Sequence, residues 1–367
     1  MKRLTRAFCL VLVMSFAQTA APGEDTKSRN RLPVIGGQSL EGAAAIRLHG
    51  SQGNARFQSS VGRDLTELAI LTSAREHDQP YEWSLHEMES IAVGLSPAVI
   101  DVVRHRKPLS GTGEKESAII QLGRELFGSH KLSSATYARA LKLFGERDLV
   151  DIVDLMGNYA GTAMRLSVFN QQMPAGWKQF LPLPFTPPDD IHPDSRSRLP
   201  LVQRPTPASA TPAALYSRTL APEGTGPAHI RRHGSGLKSL EASVGLRLMG
   251  LAVLVTAREH DSQYEWTMIE PIALKDGLEP AVINLVRLRK PATGVAEKDA
   301  AIIELGREVF RKHIVSAPTY ARALKAFGER DLVDIIDLMA QHTADDVLLT
   351  AFDQQLPPGQ EPLLPIP

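Results

Sequence analysis

The chain has 367 residues, with 41 Lys and Arg against 41 Asp and Glu, for a formal net charge of zero. That balance argues against nucleic acid or an anionic membrane surface as a main partner. The single cysteine, Cys9, lies in an N-terminal apolar run, so the rest of the chain offers no disulfide, thiolate nucleophile or zinc–thiolate site.

A basic start (Lys2, Arg3, Arg6), an apolar stretch from Ala7 to Ala17 and small residues after it form the pattern of a secretory signal peptide over residues 1–20. The run is shorter than the roughly 20 residues a membrane span needs. The expectation is a secreted or periplasmic protein with no membrane partner once the leader is cut. Residues 23–62 are rich in Gly, Ser, Gln and Asn with weak periodicity, and read as an exposed arm.

Helical spacing begins near Arg63, with Leu65, Leu68, Ala69 and Thr72 at three- and four-residue steps. A second helix is predicted from Tyr81 to Val93, stopped by Gly94. A third opens at Ser96-Pro97 and ends before Pro108. Glu114–His130 carries Ile119, Ile120, Leu122, Leu126 and Phe127 on one face. Ser133 starts a further helix that Gly145 interrupts or ends, and Asp148–Phe169 is the last long one. Strand signals are nearly absent, so the predicted class is all-α.

Prolines crowd residues 174–227, which read as a linker. The helical pattern then returns at a fixed offset of 183. Between Ala74–Gln172 and Ala257–Gln355, 56 of 99 ungapped positions are identical, which marks a duplicated domain rather than a short-period solenoid. The predicted organisation is a first domain over 21–174, a linker and arm over 175–227, and a second domain over 228–367.

Most shared residues, including His130 and His313, read as helix packing, turns and helix-end charges. The differences are more informative. His86 becomes Ile269 and Glu67 becomes Gly250, while Glu82 survives as Glu265. Glu82 and His86 stand four apart, which puts them on one helix face. A carboxylate beside an imidazole fixes its tautomer and tunes its pKa, and a second carboxylate from the preceding helix would complete a proton relay. Paired loss of Glu67 and His86 fits a site abandoned as a unit. A metal set of His77, Glu82 and His86 is the weaker alternative, because Gln79-Pro80 breaks the helix between the two histidines.

Arg75-Glu76, Tyr81-Glu82-Trp83-x-x-His86-Glu87, Gly94-Leu95-Ser96-Pro97 and the closing Gln171-Gln172-x-Pro174 resemble the carboxymuconolactone decarboxylase family of the alkylhydroperoxidase D-like superfamily. The resemblance covers about 43–174 and 240–358. It implies two tandem helical domains of that fold, assembling as trimers or hexamers, here as a trimer of two-domain chains. The superfamily's thiol-peroxidase relay is excluded, because Gln79 and Glu82 stand where its two cysteines would be. What remains is cofactor-independent, metal-free decarboxylation or isomerisation of a small lactone, enol or keto acid. His86, Glu82 and Glu67 are then the candidate catalytic groups, and Arg75, Tyr81 and Trp83 the candidate substrate-binding ones. The rival expectation is a non-catalytic tandem scaffold whose second pocket, greased by Met268 and Ile269, takes an apolar ligand.

Overall fold

The computed structural model describes residues 28–35, 41–183, 190–202 and 225–366. The expected leader, the first part of the arm and most of the proline-rich linker lie outside them. Among the described residues there are fourteen α-helices and no strands, only an isolated bridge between His192 and Ser197.

The first copy comprises α1 (Gly42–Arg47), α2 (Ala55–Gln58), α3 (Arg63–Glu76), α4 (Pro80–Ala92), α5 (Pro97–Arg104), α6 (Glu114–Gly128) and α7 (Ser134–Val168). The second comprises α8 (Gly226–Arg231), α9 (Leu237–Val244), α10 (Leu246–Glu259), α11 (Gln263–Lys275), α12 (Pro280–Arg287), α13 (Glu297–Lys312) and α14 (Ala317–Ala351). Local chemistry sets these ends. The Gln79 side chain accepts the Tyr81 N–H at 2.8 Å with Pro80 in the first turn of α4, and Gly94 (φ 91°) closes the turn after it. Ser133 Oγ caps α7 by accepting from the Thr136 N–H at 3.2 Å.

Gly145 interrupts α7 as expected: its backbone is non-helical (φ 72°, ψ 175°) and two helical segments meet there at a kink, as they do at Gly328 (φ 73°, ψ 170°) in α14. One expectation changes. The arm is not simply exposed: Leu32, Ala43 and Ile46 are buried, and α2 delivers a buried arginine, Arg56. The described part of the linker is packed as well, with Leu181, Leu199 and Arg198 buried. Arg198 donates to the carbonyls of Val168 (2.8 Å) and Val315 (2.9 Å), tying the two copies together. No single helix here is long and apolar enough to cross a membrane; α9 with α10 passes on composition as a pair, but the pair is bent by 116°.

The long helices α7 and α14 cross at small residues. A Cβ at Gly157 would lie 3.0 Å from the Ala344 backbone, and one at Gly161 would lie 2.7 Å from the Ala340 carbonyl oxygen. Ala340 and Ala344 occupy the positions of Gly157 and Gly161 in the other copy, so the crossing has approximate two-fold symmetry. Each long helix then runs on into its neighbour's core. Val347–Phe352 pack with Trp83, Leu68 and Ile119, while Met164–Phe169 pack with Trp266, Leu251 and Ile302.

This close approach predicts that Gly161→Val, which forces side-chain carbons against a backbone carbonyl, destabilises the protein by about 1–3 kcal/mol. Gly128→Ala, at an open position, should stay close to wild type. Urea denaturation of both variants checks this.

Candidate active site

Helices α3 and α4 lie side by side and turn Glu67 and His86 towards each other. His86 Nδ1 sits 2.7 Å from Glu67 Oε2, and both side chains are buried. An ionised carboxylate only accepts, so the Nδ1 proton is donated to it and Nε2 remains the basic nitrogen. The other oxygen of Glu67 accepts from Arg56 Nε at 2.9 Å and lies 2.7 Å from an Arg63 nitrogen. Arg56 also pairs with buried Glu89. Tyr159, from α7, meets the imidazole edge-on, with ring centroids 5.0 Å apart.

Electrostatics separate the two partners. Burial alone would raise Glu67, but His86, Arg56 and Arg63 together hold it down to about 2. Burial also lowers His86, against the upward pull of Glu67 and with help from Arg56. The imidazole is therefore neutral at neutral pH, and its hydrogen bond together with the two guanidiniums keeps Glu67 ionised.

Of the residues expected to work with this pair, Glu82 is on the same helix and fully buried, but no hydrogen bond joins it to His86. Its carboxyl oxygens have no hydrogen-bond partner among the described residues. Burial outweighs Arg56 and Arg165 and raises its pKa well above the ordinary value, which favours the protonated form of Glu82.

The three expected substrate-binding residues are engaged elsewhere. Arg75 pairs with Asp78 and donates to the Arg104 carbonyl at 2.7 Å, and Arg258 repeats both contacts with Asp261 and Arg287. Trp83 Nε1 donates to Glu87 at 2.6 Å, as Trp266 does to Glu270 at 2.7 Å. Tyr81 is buried with its hydroxyl 3.1 Å from Thr225 Oγ1. A pattern retained in both copies for structural reasons explains Arg75 and Trp83. His77 does not join His86; it lies 5.2 Å, ring to ring, from His313.

Sequence reasoning missed Arg56, Arg63, Glu89 and Tyr159. The second copy replaces the cluster as a whole: Leu246 stands for Arg63, Gly250 for Glu67, Ile269 for His86, Ile272 for Glu89 and His342 for Tyr159, with no arginine in 234–246. In its place is a carboxyl-rich cluster. Glu265 hydrogen-bonds the His342 ring and adjoins Asp346. Burial raises Glu265 to about 8, and burial together with Glu265 raises Asp346 well above its ordinary value.

Donor atoms of Glu67, His86 and Glu89 lie close enough to share a cation, as do those of Glu265, His342 and Asp345. In the first set Arg56 and Arg63 already neutralise the carboxylates, and in the second Arg47 pairs with Asp345 at 2.5 Å. Two cavities lie elsewhere. One of about 40 Å³ sits between the copies, and a more open depression of about 310 Å³ is lined by Arg31, Tyr264 and Leu349. Compared with protein-family profiles, curated proteins and solved structures, the chain has no significant match.

Two pH dependences follow. Glu67, depressed in the folded state, contributes stability above pH 4.5 that is lost as pH falls towards about 2. Glu67→Gln should flatten that acid limb in urea titrations while lowering stability at pH 7. Glu265 is raised, so the folded state holds an extra proton between about 4.5 and about 8, and stability falls as pH rises through that window. Glu265→Gln should remove much of that fall, raising the melting temperature at pH 8 and leaving it little changed at pH 4.

Proposed function

We propose that the chain is an exported, carboxymuconolactone decarboxylase-like protein of two tandem alkylhydroperoxidase D-like units, with cofactor-independent acid–base chemistry in the first unit. The observation that carries this reading is the buried Glu67–His86 pair, which leaves the imidazole neutral, has Arg56 and Arg63 on its Glu67 side, and is replaced wholesale in the second copy.

Neutral His86 is suited to take a proton from carbon next to a lactone or keto carbonyl. The C–H electron pair moves onto the carbonyl oxygen as an enolate, which Arg56 and Arg63 stabilise, and the imidazolium returns the proton to a different carbon. Glu67 supports the imidazolium while it exists. Decarboxylation of a substrate acid reaches the same enolate when the bond to the carboxylate carbon breaks and CO₂ leaves. The proton then added to carbon must come from a group protonated beforehand, and Glu82 is such a group. The guanidiniums replace Arg75 as the candidate holders of substrate carboxylate or enolate oxygen.

A second reading, a non-catalytic scaffold, is favoured by the closure of the site: His86 is only 3% exposed. Assembly as a trimer of chains belongs to the same family reading, and light scattering tests it.

Turnover of a panel of lactones, enol acids and β-keto acids separates the two. For the enzyme, His86→Ala lowers kcat/KM by about 10²–10⁴-fold while exposed His105→Ala does not. Because the working form is neutral His86, kcat/KM should rise with pH and level off below pH 6.5. No turnover on any of the three substrate classes leaves the scaffold.

A further inference from the structure

The approximate two-fold axis at the α7–α14 crossing brings four histidines together. His77 and His260 cap the C-terminal ends of α3 and α10. His130 and His313 follow α6 and α13, each in the left-handed region (φ 50° and 55°). They pair between the copies: His77 lies 5.2 Å from His313 and His130 lies 5.7 Å from His260, ring centre to ring centre. All four line the cavity of about 40 Å³, whose walls are otherwise mostly apolar, with Phe127 and Phe310 edge-on to His77 and His260.

We propose that this four-histidine cavity is a binding site for a divalent transition-metal ion of the imidazole-preferring kind, such as zinc, nickel or copper, with ligands drawn from both copies.

Three features support it. First, His77 Nδ1 donates to the Ser73 carbonyl at 2.8 Å and His260 Nδ1 to the Thr256 carbonyl at 2.9 Å. A backbone carbonyl behind one ring nitrogen fixes the tautomer and presents Nε2 as a ligand, which is the usual arrangement behind a metal-bound histidine. Second, each pair takes one ring from each copy, so both copies contribute ligands to one cavity. Third, there is room and a route. The volume exceeds that of one water, and His130 also borders the open depression on the other side.

No three of these nitrogens stand within 4.8 Å of one another, so coordination by more than one pair requires the two ring pairs to move closer. Imidazole nitrogens bind zinc at about 2.0–2.1 Å. The retained register is the other argument. His77/His260 and His130/His313 recur at the offset of 183, whereas the acid–base cluster does not.

The test uses the full mature chain with any affinity tag removed, stripped with chelator and titrated with Zn²⁺ and Cu²⁺. The expected result is one equivalent per chain, with imidazole nitrogen couplings in the Cu²⁺ paramagnetic resonance spectrum and a higher melting temperature. His77→Gln with His313→Gln, and separately His130→Gln with His260→Gln, should each weaken binding by at least about tenfold, while His86→Gln leaves it unchanged. Wild-type protein that shows no nitrogen couplings, or binding that survives both double variants, overturns the proposal whether or not those variants fold well. So does binding lost only with His342→Gln, which would place the ion at Glu265.

Discussion

The architecture depends on how closely two helices approach. Gly157 and Gly161 lie on α7 where α14 presents Ala344 and Ala340, and nothing larger than hydrogen fits at Gly161 without moving a carbonyl. Because the axes come so near, each long helix reaches past the crossing and supplies apolar side chains to the opposite core. The boundary evident in sequence is therefore not a gap in space. Phe352 completes the core around Trp83, and Phe169 completes the one around Trp266. The same crossing creates the cavity between the copies, so the four histidines face each other only if the helices meet this closely.

The duplicated scaffold was legible because its signals are local and periodic. Ser-Pro starts, glycine stops and apolar steps of three and four gave the main helices to within a few residues, including the break at Gly145. The arm was not legible, since its two helices are six and four residues long and owe their form to tertiary burial. Arg56 was hidden for the same reason: in a Gly-, Ser- and Gln-rich stretch an arginine reads as solvated. The available signal was on α3 and α4, where Glu67 and Glu89 fall on buried faces and require cations from somewhere. The four histidines were visible as a repeat, but sequence alone cannot show that the end of one copy's helix meets the end of the other's.

The polar interiors of the two copies diverged in opposite directions, and buried charge explains why the changes came in groups. Removing Glu67 alone would take a counterion from buried Arg56 and half-buried Arg63, at a cost of several kcal/mol. Loss of the carboxylates, the guanidinium and the histidine together leaves Leu246, Gly250, Ile269 and Ile272, a surface that needs no counterion. On the α14 side the opposite occurred. Asp346 stands where the first copy has Ala163, next to Glu265 and with no arginine between, so burial favours protonated acids in place of ion pairs.

Access to His86 follows from the same balance. The imidazole is covered by Arg56 on a helix of only four residues, held in place by pairing with Glu67 and Glu89. That cover is electrostatic as much as steric. A neutral ligand entering here would part a guanidinium from a buried carboxylate and leave both uncompensated. An anionic ligand offers Arg56 or Arg63 a replacement oxygen, and charge stays balanced only if buried Glu89 takes up a proton as it yields its place. The arrangement therefore discriminates by charge before shape.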